Sequence, residues 1–275
     1  MANPLLNDKA FGAAAQRSGA TWAPPKPIPQ GQWNPPISDG PITAWQSAAD
    51  RMTVSGTATA TGVLLVLLLV AAGFGWAAVP SVAEDASPSF PGIALVGVLV
   101  GFVAVIVSAF KPHLAKFLAP VYALAQGYFV GAVSKAYENF QNGIVIQAAG
   151  ATIAVFAVML FLYGTRIIKV TDRMRRIVIG ATMGIALFYL VAFAMRLFGV
   201  EVSFLTQPSL LGIGFSVLVV GLAAFNLALD FDFIERGSQS NLPKHMEWLA
   251  ALGLLVTIVW LYLEILRLLS KLRER

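Results

Sequence analysis

The chain has 275 residues, 57% of them hydrophobic and 12% charged, with a net charge of +5 and a mean hydropathy of +0.75. A soluble domain carries about a quarter charged residues, so this is the composition of a chain solvated by lipid; its basic residues gather in short loops, which argues against a nucleic-acid partner. The absence of cysteine excludes disulfides, thiolate nucleophiles and cysteine-held metals, and two histidines, His113 and His245, are too few for a multi-histidine metal site.

Residues 1–50 are rich in Pro, Ala, Gly, Ser and Gln. Such a segment cannot bury enough apolar area to offset its ordering entropy, so it reads as a disordered tail with polyproline character. It lacks the basic start and apolar core of a signal peptide. The membrane domain is then 51–275.

A helix needs about 20 apolar residues to cross the ~30 Å hydrocarbon core. The segments 54–79, 92–110, 117–134, 143–165, 177–198, 208–229 and 248–270 meet that requirement. Backbone groups in lipid must satisfy one another locally, so these are helices, and the fold class is an all-α integral membrane protein with a seven-helix bundle. The connections are short, as antiparallel neighbours require. Small residues recur within the spans, at Gly73/Gly75, Gly127/Gly131, Gly180/Gly184 and Gly212/Gly214. The Gly127/Gly131 and Gly180/Gly184 pairs have the four-residue spacing of close helix approach.

Orientation follows from Lys and Arg. The loop with Arg166, Lys169, Arg173, Arg175 and Arg176 is the strongest positive cluster, whereas the loops on the other side hold only Lys135 and Arg196. The N-terminus is therefore expected in the cytoplasm of a cell with the protein in its plasma membrane. The basic C-terminal end, with Arg267, Lys271, Arg273 and Arg275, runs against that rule. Either it is tolerated outside or the last segment is re-entrant; the loop bias favours seven full spans.

Charges within spans mark pathways or relays. Asp230 and Asp232 stand where the sixth span reaches the inner side, with Gly237 as a helix C-cap. If the helix ends at Arg236, Asp230 lies about 9 Å inside that end. Asn226 is one turn earlier and within reach of the Asp230 carboxyl. Asp232 is rotated by about 200° from Asp230, so the two cannot share one partner. Desolvation favours a neutral carboxyl and a neighbouring cation favours the ionised one. The pair is therefore read as a candidate protonation switch, or else as interfacial carboxylates facing Arg236 or Lys244. When ionised, they are also hard oxygen ligands suited to Ca²⁺. Pro243 is placed to start the seventh helix. On that helix Thr257 and Glu264 share a face, and Glu264 either pairs with Arg267 or receives cations at the outer mouth of a path. Gln126 and Gln147 are read as polar groups that hold helices together or line a pore. His113 and His245 are read as solvated loop residues, His245 being the better candidate pH sensor of the two. No resident metal or cofactor is implied, and no nucleophile–base spacing points to an enzyme.

The stretches "YALAQGYFVGAVSKAYENFQNGIVIQAAGATIAVFAVML", "LALDFDFIERG" and "MEWLAALGLLVTIVWLYLEILRLLSKL" together resemble the Bax inhibitor-1 (transmembrane Bax inhibitor motif) family, and its bacterial YccA-like branch in particular. The resemblance covers roughly residues 50–275. It implies a bundle whose C-terminal helix is surrounded by the other six, and a pH-sensitive calcium leak. It also implies a sensor made of one aspartate in the sixth helix and one in the seventh. Asp230 or Asp232 matches the first, and Thr257 stands at the second. A threonine cannot share a proton as two carboxyls do. Gln126 stands where the family's "EG" motif has an acid. The expected function is a pH-sensitive cation leak, with Ca²⁺ as transported ion, gated at the sixth-helix carboxylates. The alternative is a non-conducting scaffold that binds another membrane protein, such as a quality-control protease. The lipid bilayer is the expected partner in both; the sequence leaves the oligomeric state open.

Overall fold

The computed structural model describes residues 50–80, 92–199 and 208–274. The tail 1–50, apart from Asp50, lies outside the described residues, as does most of the loop 80–91. Among the described residues are seven helices long and apolar enough to cross a membrane. They are α1 (Val54–Ala78), α2 (Gly92–Phe110), α3 (Ala115–Phe140), α4 (Ile144–Gly164), α5 (Asp172–Leu197), α6 (Leu210–Gln239) and α7 (Met246–Arg273). A 3₁₀ turn, Pro112–Leu114, leads from α2 into α3. The seven-span bundle is therefore the fold.

The C-terminal helix is the axis. In its most apolar 18-residue window, 61% of the residues are buried, against 6% for α5. Leu252, Leu255, Leu261 and Leu266 of α7 are sealed off from the surroundings. The two main hydrophobic clusters both draw on this helix, one with α4 and α6 and the other with α1 and α3. Because α7 has no lipid-facing side along most of its length, the polar residues it carries must find partners inside the bundle.

Helix ends give the bundle two faces. At the proximal face, where α1 begins, Thr53 caps α1 by accepting from the Gly56 N–H at 2.9 Å. The Glu247 carboxylate, in the first turn of α7, accepts from both the N–H and the hydroxyl of Thr53 at 2.9 Å. Arg51 and Pro243 form an antiparallel bridge, flanked by bonds from Met52 N–H to the Leu242 carbonyl and from Lys244 N–H to that of Asp50. The start of α1 is thus clamped to the α6–α7 connection. At the distal face, Arg273 of α7 reaches the Gln147 side chain of α4 at 2.8 Å.

Three expectations about ends require correction. Pro243 does not start the last helix: it pairs with Arg51, and α7 begins at Met246. Helix α6 runs to Gln239, three residues past the expected end at Arg236, so Asp230 and Asp232 lie deeper inside it. Gly237 is not its cap. It is buried within the helix, where a Cβ would meet the Met52 sulfur at 2.8 Å, and Ser240 closes the helix instead. The extension persists because its charged residues are paired with neighbours rather than left in lipid.

The glycine pairs also divide. Gly131 on α3 lies directly on the Ala72 carbonyl of α1, and Gly75 on α1 lies on the Tyr128 carbonyl of α3; neither site has room for a Cβ. These contacts let the α1 and α3 backbones touch, and Gly127 joins them at Leu68. Gly180 and Gly184 of α5, with the same spacing, have nothing within 4 Å. Gly131→Ala is expected to lower the detergent-state melting temperature by the equivalent of about 1–3 kcal/mol, the usual cost of overpacking. Gly184→Ala is expected to leave it unchanged or slightly raised. Thermal unfolding of the two variants side by side checks the contrast.

Candidate functional site

Helix α5 is attached to the bundle in an unusual way. Among the described residues, its close helix neighbour is α6 alone, and most of its apolar side chains face outward. Its attachment is largely polar, with Phe188 and Tyr189 also meeting the Phe215 ring of α6 edge to face. Arg175, Thr182 and Tyr189 are seven residues apart, so they form one stripe, two turns between members. Each finds a polar partner. Arg175 Nη2 donates to Asp232 Oδ2 at 2.6 Å, near the proximal face. Thr182 Oγ1 accepts from Asn226 Nδ2 at 2.8 Å, in the middle. Tyr189 OH donates to Glu264 Oε1 at 2.8 Å, toward the distal face. The result is a polar seam along the depth of the bundle, between α5 and the α6–α7 pair.

At its proximal end Asp232 is buried and accepts from two arginines, Arg175 and, at 2.9 Å, Arg236 one turn away. Arg236 also donates to the Val170 carbonyl at 3.3 Å. Beside this group lies a cavity of about 330 Å³, lined by Tyr163, Arg166, Lys169, Asp232, Glu235 and Arg236. Tyr163 donates to Glu235, which also pairs with Arg166 at 3.3 Å. A space of this size with so many polar partners suits ordered water.

In the middle, Asp230 accepts from Thr257 Oγ1 of α7 at 2.6 Å. Thr257 is buried, and its hydroxyl also lies 3.2 Å from the Gly253 carbonyl. The two positions that the resemblance pairs, one on each helix, do face each other. The chemistry between them is a hydroxyl donating to a carboxylate, not two carboxyls sharing one proton. Asn226 does not reach Asp230: its amide donates to Thr182 and to the Leu222 carbonyl at 2.9 Å.

At the distal end Glu264 is 2% exposed. Its Oε1 accepts from Tyr189 and, at 2.9 Å, from Arg267 Nη1. Arg267 also donates to the Tyr189 oxygen at 2.9 Å, with its guanidinium 5.2 Å from the centre of that ring. The second Glu264 oxygen, Oε2, is buried without a hydrogen-bond partner. Two turns further along α7, the buried Lys271 donates to the Gly212 carbonyl at 3.1 Å and to Ser216 Oγ at 3.0 Å. Thr257, Glu264 and Lys271 thus present a hydroxyl, an acid and a base at seven-residue intervals on the central helix.

The glutamines lie apart from the seam. Gln126 is buried against Gly101 of α2, where it leaves no room for a Cβ. Gln147 is exposed at the distal face, held by Arg273. Among the described residues, no three His, Asp or Glu side chains converge as metal ligands. Sequence reasoning missed Arg175, Thr182 and Tyr189 as a set. Their seven-residue spacing in an otherwise apolar helix was the available signal. It also placed Lys271 with the tail charges and overlooked Glu247.

A family model described as Bax inhibitor 1 like matches residues 3–274, so the chain belongs to the Bax inhibitor 1-like family. No curated protein and no solved structure matches it.

Tyr189→Phe and Glu264→Gln are expected to be coupled in a double-mutant cycle of unfolding free energy. The coupling should reach about 1 kcal/mol, toward the upper range for interhelical hydrogen bonds in membranes, because the acceptor is a carboxylate. Steric trapping or reversible unfolding in bicelles measures it.

Proposed function

We propose that this Bax inhibitor 1-like protein is a passive, pH-sensitive cation path across a cell membrane, and that the seam between α5 and the α6–α7 pair is the path in its closed state. The observation that carries this reading is the stripe Arg175, Thr182 and Tyr189, which holds a lipid-exposed helix to the bundle by polar contacts at three depths. Such contacts exchange for water far more readily than an apolar interface does. If α5 moves outward, water enters and the Asp232, Asp230 and Glu264 carboxylates face it in succession. Carboxylates favour cations, and hard divalent ions such as Ca²⁺ above others. The basic residues around Arg166 and Arg175 support a cytoplasmic proximal face.

Closure has an electrostatic cause. Arg175 lies across the proximal entry while Asp232 holds it, and Arg267 and Lys271 occupy the distal half. Loss of the Asp232 charge removes the partner to which Arg175 and Arg236 donate. The arginines are then released toward solvent, and the proximal end of α5 is freed. Acid therefore opens the path. Asp230 has a different part: bonded to the Thr257 hydroxyl at mid-depth, it is the carboxylate that a passing ion meets.

Ion flux into liposomes holding the purified protein tests this. Ca²⁺ entry in the wild type should rise as the pH on the cytoplasmic side falls. Asp232→Asn should conduct at neutral pH by about tenfold more than wild type, equivalent to losing about 1.4 kcal/mol of closing energy. Asp230→Asn should conduct less than wild type at every pH. Absence of flux at any pH from folded wild type, together with a membrane protein co-purifying in stoichiometric amount, would favour the scaffold reading instead.

A further inference from the structure

On the side of the bundle away from the seam, α1 and α4 pack on α3 and α7 but barely on each other. Between them is a cavity of about 490 Å³ whose floor is Gly131, Ser134 and Tyr262. Its lining is almost wholly apolar, and its walls carry outward-facing Leu69 and Ile153. The hydroxyls that line it are all spent on the protein itself. Ser134 Oγ donates to the Val130 carbonyl at 2.7 Å, Tyr262 OH lies 2.6 Å from Ser134 Oγ, and Thr152 donates to the Ala148 carbonyl at 2.7 Å. A guest therefore meets an almost wholly apolar wall, and an apolar guest fits it.

Three features say which apolar guest. Along α1 the lining runs from Leu65 to Trp76. Eleven residues of helix rise by about 16 Å, which is half of the ~30 Å hydrocarbon core and so the depth of one leaflet. Gly73, facing this space, has nothing within 4 Å of where a Cβ would stand, so the groove is open at its centre. At its distal mouth, the Lys135 ammonium sits 5.1 Å from the centre of the Trp76 ring, and among the described residues no carboxylate pairs with it. Trp at this depth belongs at the headgroup level, and a lysine there meets lipid phosphates.

We propose that this groove is a binding site for one phospholipid of the distal leaflet, with an acyl chain laid along α1 between Leu65 and Trp76 and its phosphate on Lys135. The bound chain would complete the packing that α1 and α4 leave unmade, joining the two helices where the protein does not. It lies on the opposite side of α7 from the seam and stands or falls independently of the ion path.

Native mass spectrometry of the full chain in mild detergent, titrated with 1-palmitoyl-2-oleoyl phosphatidylglycerol, tests the site. The wild type should take up one phospholipid in a saturable step. Gly73→Leu, which puts a side chain into the open space, should weaken that step by about tenfold, or 1.4 kcal/mol. Lys135→Ala should weaken phosphatidylglycerol but leave the uncharged dioleoylglycerol unchanged. Circular dichroism establishes that each variant is folded, and Ala149→Leu, from the opposite wall, replaces Gly73→Leu if the latter is not. Uptake that never saturates, or that is the same in wild type and in the folded groove-filling variant, overturns the proposal. A site that binds both lipids equally and ignores Lys135→Ala overturns the headgroup assignment.

Discussion

A charged side chain buried in a bilayer protein has to be paired, and for Asp232 and Glu264 part of that pairing comes from α5. Asp232 meets Arg175, Glu264 meets Tyr189 and Arg267, and Asn226 meets Thr182. Remove the α5 members and Asp232 is left with Arg236 alone, while Glu264, which already has one unpartnered oxygen, keeps only Arg267 of its two donors. The position of α5 and the state of these carboxylates are therefore one question. Their protonation cannot change without changing what holds the helix, and the helix cannot move without exposing them.

The bundle is unequal in its construction. Helices α1 and α3 meet backbone to backbone through Gly75, Gly127 and Gly131, and α7 is wedged against both by buried leucines. That half has no polar seam and little freedom to rearrange, since close-packed interfaces resist continuous deformation. The clamp between Arg51 and Pro243 and the Thr53–Glu247 contact fix α7 at its start. The α5 side has a different character, with lipid-facing residues outside and, within, polar contacts at three depths beside the Phe188–Phe215 ring contact. On the proposed path, the close-packed half is the fixed frame against which α5 moves.

The spans were legible because lipid makes a strong demand: length and hydropathy locate all seven, and self-satisfied backbone makes them helices. The end of α6 was legible to within three residues from Gly237, but what sustains it was not. Hydropathy stops at Leu229, whereas the helix continues because Asp232 is neutralised by Arg175, which is 57 residues earlier in the chain. Such a partner is invisible to any local reading. The glycine motifs show the same limit, since Gly127/Gly131 and Gly180/Gly184 are alike in spacing and only the first pair touches another helix. The resemblance set Thr257 opposite either Asp230 or Asp232, and the hydrogen bond falls on Asp230. Asn226 was assigned to Asp230 from a one-turn separation, but Thr182 across the interface is what its amide meets.

On the proposed path, α5 separates from α6 and α7 and water enters the seam when the carboxylates of α6 and α7 are neutralised. The chain has no cysteine, so single thiols can be introduced without background. Ile185 lies between Thr182 and Tyr189 on the seam side of α5, whereas Leu187 is exposed toward lipid. A membrane-impermeant thiol reagent should modify Ile185→Cys in liposomes at acid pH and leave it unmodified at neutral pH, with Leu187→Cys unmodified at both. If Ile185→Cys stays protected at acid pH while the protein is folded and conducting, the ions do not pass along α5 and the account is wrong.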